Sequence, residues 1–119
     1  MPRFVVLTHD YPFLHWDFML EWGEVLRTWR LLAPPDGSVA AEALPDHRLH
    51  YLEYEGPVSQ NRGSVRRWDC GEFTVIEETA TSMRIQIQGH QFQGEAVLHR
   101  GESTSTWTFS RELPEKNTK

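Results

Sequence analysis

The stretch His15-Trp-Asp-Phe-Met-Leu-Glu-Trp22 decides the fold of this chain of 119 residues. Side chains of a β-strand alternate between two faces, so a strand over this stretch separates two very different surfaces. The apolar surface predicts a core face and consists of Trp16, Phe18, Leu20 and Trp22. The opposite surface is mainly polar and consists of His15, Asp17, Met19 and Glu21.

The polar surface places an imidazole and a carboxylate two residues apart, at His15 and Asp17. Their Cα atoms would be roughly 6.6 Å apart, which lets both side chains converge on one ion. His9, on the preceding predicted strand, can supply a third ligand. Two imidazoles and one carboxylate leave coordination positions open for water and substrate, and this mixture of nitrogen and oxygen suits Mn²⁺, Zn²⁺ or Co²⁺. The alternative interpretation is a solvated face of an antiparallel sheet, which the spacing alone does not exclude.

The remaining chain predicts further short strands and almost no helix. Turn-forming residues separate the apolar or alternating runs, a pattern typical of an all-β sandwich or barrel. The predicted strands are Phe4–Leu7, Phe13–Trp22, Val25–Leu32, Val65–Trp68, Phe73–Glu78, Met83–Gln88, Gln93–His99 and Thr104–Ser110. The range 34–44 is the longest segment without a clear pattern. We expect one domain over residues 1–112 and a disordered tail over residues 113–119.

Composition limits the compartment and the class of partner. A single cysteine, Cys70, excludes an intramolecular disulfide framework, and no segment has the pattern of a signal peptide or a membrane span. We therefore expect a cytoplasmic protein with no membrane partner. The formal charge of −5 argues against a general nucleic-acid coat protein, although an enzyme that contacts only a DNA end is still allowed. Ten of the twelve cationic residues are arginine, which reflects either phosphate binding or genomic base composition.

A second candidate cluster lies near residue 50. If Asp46 caps a short helical turn, His47 and Tyr51 share one face of it. His50 and Tyr54 have the same spacing, so spacing alone does not choose between the two pairs. A dense group of arginines follows at Arg62, Arg66 and Arg67. Arg66 and Arg67 would point to opposite faces of a strand, so at most one of them would serve a shared DNA surface.

Two motifs resemble the 3′-phosphoesterase domain of bacterial DNA ligase D. The first is Phe4-Val-Val-Leu-Thr-His-Asp10 followed by Leu14-His-Trp-Asp-Phe-Met-Leu-Glu21, where the family reads F-V-x-x-x-H-D and then L-H-x-D-F-R-L-E. The second is Asp46-His-Arg-Leu-His-Tyr-Leu-Glu-Tyr-Glu-Gly56, which is similar to the family block D-H-x-x-x-Y-x-x-F/Y-E-G. The resemblance covers about residues 3–111 and so nearly the whole chain.

The resemblance implies a small closed or nearly closed antiparallel β-barrel with one short helical turn and an active site in an outer groove. It implies a metal-dependent phosphoesterase that acts on nucleic-acid 3′ ends in DNA repair, together with a DNA ligase or repair polymerase. His9, His15 and Asp17 match the family's metal ligands, with Mn²⁺ favoured, while His47 and Tyr51 match its catalytic, phosphate-contacting pair. Arg62 and Arg66 are further candidates for contacting the substrate phosphate.

Two departures affect this interpretation. Met19 stands where the family has an arginine that contacts phosphate, and Leu7 stands where the family often has a polar residue. We expect the loss at position 19 to weaken phosphate binding and activity, and we expect an arginine placed there to project into an exposed groove. A site without this arginine allows two alternative functions. One is a non-catalytic module that binds DNA ends or a repair partner, and the other is a hydrolase of a small phosphorylated metabolite.

Overall fold

The computed structural model describes residues 1–103 and 105–111 and is almost entirely β-structure in these ranges. The nine strands of the described ranges are β1 (Arg3–His9), β2 (His15–Trp22), β3 (Val25–Leu31), β4 (Ser38–Arg48), β5 (Gly56–Pro57), β6 (Ser64–Glu78), β7 (Ser82–Gln88), β8 (Gln93–Arg100) and β9 (Thr106–Arg111). The predicted tail over residues 113–119, the domain limit at residue 112 and the predicted start of β9 at residue 104 lie outside the described residues.

Eight antiparallel strands close into a barrel, as predicted. The strand order is β1-β2-β3-β4-β9-β8-β7-β6, and β6 pairs back onto β1, while the two-residue β5 adds to the other side of β6. The helical structure of residues 1–103 and 105–111 is a single 3₁₀ turn, Leu49–Leu52. No helix in this part of the chain is both long and apolar enough to cross a membrane.

Strand β2 is covered on both faces, and this double burial positions the candidate site. Phe18 and Leu20 point into the barrel core as predicted, with Trp16 and Trp22 packed at its margin. The other face packs against a second apolar cluster outside the barrel, to which the 3₁₀ turn contributes Leu52. From the sequence alone, that face could be either a metal-ligand surface or a solvated surface. His15, Asp17 and Met19 are all buried, so it is not the solvated side of the sheet.

Strand β6 corrects one sequence-based expectation. Two separate strands were predicted at Val65–Trp68 and Phe73–Glu78, but one continuous strand runs from Ser64 to Glu78. Gly71 is not a turn residue there: a Cβ atom at this position would overlap the backbone carbonyl of Gln88 on β7. Glycine in a strand often marks such a close backbone approach. The strand thereby contacts β1 with its first half and β7 with its second, which closes the barrel.

Strand β4 corrects another expectation, because the range 34–44 carried no clear pattern in the sequence. Residues Ser38–Arg48 form a strand in which Val39 and Ala41 are buried against the core. The strand also contains a bulge: Leu26 pairs with His47 and Thr28 pairs with Leu44, so two β4 residues face one β3 residue. Bulges re-aim side chains and are common beside active sites. The bulge lies directly before His47 and so changes the direction of the strand at this residue.

The 3₁₀ turn begins later than the sequence suggested. A cap at Asp46 would have placed His47 in a helical turn, but both residues belong to β4. The residue in the N-cap position is Arg48, and no side-chain hydrogen bond caps the turn. His47 and Tyr51 are therefore brought together by a strand end and the following turn rather than by one helical face.

The buried carboxylate of Asp69 binds the β7–β8 connection to strand β6. The Asp69 side chain on β6 is 3% exposed and accepts hydrogen bonds from four backbone N–H groups. The four donors are those of Cys70, His90, Gln91 and Phe92, at 2.8–3.0 Å. Three of these donors lie in the β7–β8 connection, whose backbone would otherwise leave polar groups buried without partners.

We expect Asp69→Ala to lower the free energy of unfolding by about 3 kcal/mol or more, because several donors would lose a charged acceptor. Asp69→Asn, which keeps one acceptor oxygen, should cost less. Exposed Asp36 provides the control, and Asp36→Ala should change stability by no more than about 0.5 kcal/mol. Urea denaturation of the three variants measures this order. Equal stability of Asp69→Ala and wild type would contradict the role of the carboxylate.

Candidate active site

Strands β1 and β2 bring the three predicted metal ligands together. His9 and His15 are direct cross-strand partners, and Asp17 lies two residues further along the same face of β2. The ligating atoms of these three side chains all lie within 4.8 Å of one another. The imidazole centroids of His9 and His15 are 4.9 Å apart. The shared face inferred from residue spacing is therefore present in the structure.

Each imidazole is oriented by a backbone carbonyl. Nε2 of His9 donates to the carbonyl oxygen of Arg62 at 2.8 Å, and Nδ1 of His15 donates to that of Phe13 at 2.8 Å. A carbonyl oxygen can only accept, so these nitrogens carry the protons. The remaining ring nitrogens face the Asp17 carboxylate, at 3.4 Å from His9 and 3.1 Å from His15. Ligating histidines are commonly held in this way by a backbone acceptor behind the ring.

The Asp17 carboxylate is buried without enough polar partners. It is 3% exposed, and its Oδ1 atom and His15 Nε2 are shielded from water without forming a hydrogen bond within the described residues. Burial raises the pKa of the Asp17 carboxyl, but the adjacent imidazoles of His15 and His9 outweigh burial and lower it below 3.8. Asp17 in turn holds the pKa of His9 above 6.5, against the opposing effect of burial. A buried anion surrounded by two ring nitrogens fits a cation.

The loop before β6 fixes the carbonyl that orients His9. Asp10 Oδ1 accepts a hydrogen bond from the backbone N–H of Ser64 at 2.8 Å. Gly63 has a φ of +73°, and a Cβ atom there would overlap the Asp10 carboxylate. Only glycine adopts this conformation without a steric cost. The sequence alone does not indicate a role for Asp10 or Gly63, because their contact joins segments that are 53 residues apart.

A cavity of about 330 Å³ opens beside the three ligands and contains the second predicted pair. His47 and Tyr51 line it, with ring centroids 5.9 Å apart. Nδ1 of His47 donates to the carbonyl oxygen of Pro45 at 2.9 Å, and Nε2 has no hydrogen-bond partner within the described residues, so it can accept or, when protonated, donate. Its full lining is His9, Tyr11, Pro12, His15, Asp17, Met19, Arg30, Leu44, Pro45, His47, Tyr51, Val58, Arg62 and Val65.

The structure separates the two pairs that spacing alone could not distinguish. His50 and Tyr54 do not line the cavity; their rings contact each other in a tilted arrangement with centroids 4.5 Å apart. The Tyr54 hydroxyl donates to the carbonyl oxygen of Pro57, so this pair holds the chain after the 3₁₀ turn. Only the pair selected by the family resemblance faces the candidate metal ligands.

The two arginines predicted to contact phosphate lie in different places. Arg62 lines the cavity, although its guanidinium also donates to the backbone carbonyl of Ser59 at 3.0 Å. Arg66 lies outside the cavity and lines a separate groove with Arg67. The structure therefore brings Arg62 together with the candidate ligands but does not bring Arg66 there.

Arg30 is a cavity residue that the sequence analysis missed. It lies on β3 directly opposite Asp17 on β2. The signal was available: if Trp22 pairs with Val25 across the turn Gly23-Glu24, continued pairing along this hairpin brings position 30 opposite position 17. Arg30 thus places a permanent positive charge in the cavity that holds the candidate ligands.

Met19 requires a correction. We expected an arginine at this position to project into an exposed groove, but Met19 is 1% exposed and belongs to the second apolar cluster. Leu7, the other departure from the family pattern, is fully buried in the same cluster. A charged side chain at position 19 would therefore have to displace apolar packing. Met19→Arg is expected to destabilise the fold rather than simply restore a phosphate contact.

Comparison with known proteins agrees with the resemblance drawn from the two motifs. Residues 7–100 match the family described as the DNA Ligase D 3'-phosphoesterase domain. The chain is also 34% identical over 105 residues to the "Multifunctional non-homologous end joining protein LigD" of Pseudomonas aeruginosa. That alignment covers 82% of this chain but 12% of the relative, so the chain spans only a small part of the relative's length.

The contact between His9 and Asp17 predicts a pH dependence for the metal-free protein. Because the pKa of His9 is raised above 6.5, its contribution to folding is fully present below that pH and is lost as the pH rises through the folded-state pKa. Chemical denaturation in a chelator between about pH 6 and pH 9 should show this loss of stability. In Asp17→Asn the loss should shrink, and NMR titration should show a lower pKa for His9. An unchanged pKa of His9 in that variant would contradict the coupling.

Proposed function

This chain belongs to the DNA ligase D 3′-phosphoesterase domain family, and we propose that it is a metal-dependent hydrolase of phosphate esters at nucleic-acid 3′ ends. The observation that carries the proposal is the buried Asp17 carboxylate, which faces two imidazoles beside a cavity lined by His47, Tyr51 and two arginines. Such a cluster is expensive to bury unless a cation neutralises it.

His9, His15 and Asp17 are the residues that would hold the ion. Each imidazole donates one N–H to a backbone carbonyl and keeps its second nitrogen directed toward the carboxylate. A neutral imidazole and an ionised carboxylate are the ligand states that a divalent ion requires. A bound ion would supply Lewis acidity toward a phosphate oxygen and toward water. Among Mn²⁺, Zn²⁺ and Co²⁺, which all accept this ligand mixture, we propose Mn²⁺ on the family resemblance.

His47 and Tyr51 would act on the phosphate from the other side of the cavity. With Nδ1 held by Pro45, a protonated His47 presents Nε2–H to the ester oxygen that leaves or to the developing negative charge. The Tyr51 hydroxyl can donate a hydrogen bond to a phosphate oxygen. In the proposed reaction water attacks phosphorus, the bond between phosphorus and the 3′ oxygen breaks, and the 3′ oxygen receives a proton. The products are inorganic phosphate and a 3′-hydroxyl end.

The proposed setting is bacterial DNA repair in the cytoplasm. The relative is a non-homologous end joining protein, so a ligase or repair polymerase would be the enzyme that uses the trimmed 3′ end. The formal charge of −5 favours contact with a strand end over contact along a duplex.

An oligonucleotide carrying a 3′-phosphate tests the activity. We expect conversion to the 3′-hydroxyl product with Mn²⁺, loss of conversion in a chelator, and recovery when Mn²⁺ is added back. Asp17→Asn should abolish conversion and Mn²⁺ binding measured by calorimetry, because it removes the charge at the centre of the ligand set. Asp36→Asn, at an exposed position, should behave as wild type. Mn²⁺ binding without any conversion would favour a non-catalytic binding module instead.

His47→Ala should separate binding from catalysis. Turnover should fall by roughly 10²–10⁴-fold, as expected for loss of an acid–base group, while Mn²⁺ affinity stays at the wild-type value. His50→Ala is the matched control, because His50 lies on the adjacent turn but outside the cavity. A collapse of Mn²⁺ affinity in His47→Ala would identify His47 as a metal ligand and contradict the assigned role.

A further inference from the structure

We propose that Arg30 forms the anion-binding subsite of this cavity and takes over the phosphate contact that Met19 cannot make. The ligand class is a phosphate group, either inorganic or as the terminal ester of a substrate. A role of Arg30 in catalysis rests on the proposed function, but phosphate binding by Arg30 can be measured without any turnover.

The register of the β2–β3 hairpin places Arg30 next to the metal-ligand candidates. Asp17 pairs with Arg30 and Met19 pairs with Thr28, so positions 19 and 30 are diagonal neighbours on one face of the sheet. Diagonal neighbours in a sheet are about 7–8 Å apart, a distance that a long side chain can span. The guanidinium of Arg30 on β3 can therefore reach the same part of the cavity as a long side chain at position 19 on β2.

The local packing explains why the charge lies on β3. Met19 is buried among apolar side chains that include Val5 and Leu26, which would oppose a guanidinium. Both residues line the cavity, but Met19 is 1% exposed whereas the side chain of Arg30 is 24% exposed. The phenyl ring of Phe13 lies 5.5 Å from its guanidinium carbon, within the range of a cation–π contact. This ring covers the side chain without occupying any of its hydrogen-bond donors.

The guanidinium of Arg30 is not satisfied within the described residues. Its Nε–H is shielded from water and has no hydrogen-bond acceptor in that part of the chain. One Nη atom lies 3.7 Å from a carboxylate oxygen of Glu42 on β4, which is too long for a hydrogen bond. A planar fork of five donors with a single weak ionic contact is well suited to an anion with several acceptor oxygens.

Arg62, the other arginine of the cavity, is less available. Its Nε donates to the carbonyl oxygen of Ser59 at 3.0 Å, and one Nη donates to the Ser59 hydroxyl at 3.3 Å. Its backbone carbonyl also orients His9. Arg62 therefore stabilises its own loop and orients a candidate metal ligand, whereas the Arg30 guanidinium donates no hydrogen bond within residues 1–103 and 105–111.

The test is calorimetric titration of inorganic phosphate into the Mn²⁺-loaded protein, with Arg30→Gln compared with wild type. Loss of a charge-assisted contact should weaken phosphate binding by roughly 10- to 100-fold, while Mn²⁺ affinity and the circular dichroism spectrum stay unchanged. The control is Arg84→Gln. Arg84 is an exposed arginine that pairs with Glu95 in the β7–β8 hairpin, and it does not line the cavity. Arg84→Gln should bind phosphate as wild type does.

A second variant tests the direction of the electrostatic effect. Glu42→Gln removes the carboxylate that competes for the guanidinium, so phosphate affinity should rise by about 1.5- to fivefold, the range expected for an exposed ion pair. A merely structural role of Arg30 would predict the opposite, because loss of its ionic partner would loosen the side chain. Arg30→Gln should also reduce kcat/KM on the 3′-phosphate oligonucleotide by the same factor as phosphate affinity.

The outcomes separate the two proposals. Phosphate binding that is equal in wild type and Arg30→Gln overturns the subsite, whatever the enzyme does. Phosphate binding that depends on Arg30 in a protein without turnover supports the subsite and contradicts the proposed hydrolase. A wild-type protein that binds Mn²⁺ but no phosphate overturns the subsite as well.

Discussion

The structure depends on how the buried carboxylate of Asp17 is neutralised. It lies on the outer face of β2, covered by an apolar cluster that reaches from β1 to the 3₁₀ turn. The two groups that touch it are imidazoles whose other nitrogens are already committed to backbone carbonyls. In the metal-free protein the adjacent Asp17 carboxylate favours the protonated form of His9 and so raises its pKa. A divalent ion at the proposed site would satisfy both nitrogens and the carboxylate at once.

The pairing register of the strands, rather than a loop, brings the candidate ligands and Arg30 together. His9, His15, Asp17 and Arg30 occupy three consecutive strands, with direct cross-strand pairs at His9–His15 and Asp17–Arg30. Groups on paired strands are held more rigidly than groups on loops, which favours a preorganised site. The bulge in β4 then adds His47 from the fourth strand. Met19 stands at the β2 position where the family resemblance implies an arginine, and Arg30 on β3 is its diagonal neighbour on the same face, directly opposite Asp17.

Local alternation was sufficient to predict much of this arrangement. The two faces of β2 and the pairing of Asp17 with Arg30 follow from the period of a strand and a two-residue turn at Gly23-Glu24. Strand β4 escaped prediction because its buried positions include small residues such as Ala41 and because Pro45 lies at a bulge. The burial of the ligand face could not be predicted from β2 itself. The apolar side chains that pack against it come from residues 49–65, a segment distant from β2 in sequence.

The most direct measurement is a crystal structure of the protein soaked in Mn²⁺, with anomalous data collected at the manganese absorption edge. The account predicts one strong anomalous peak bounded by Nδ1 of His9, Nε2 of His15 and the Asp17 carboxylate, at about 2.0–2.3 Å from each ligand atom. The same soak of Asp17→Asn should show no peak there. A peak at another site, or an Mn²⁺-dependent enzyme without density between these three side chains, would contradict the account.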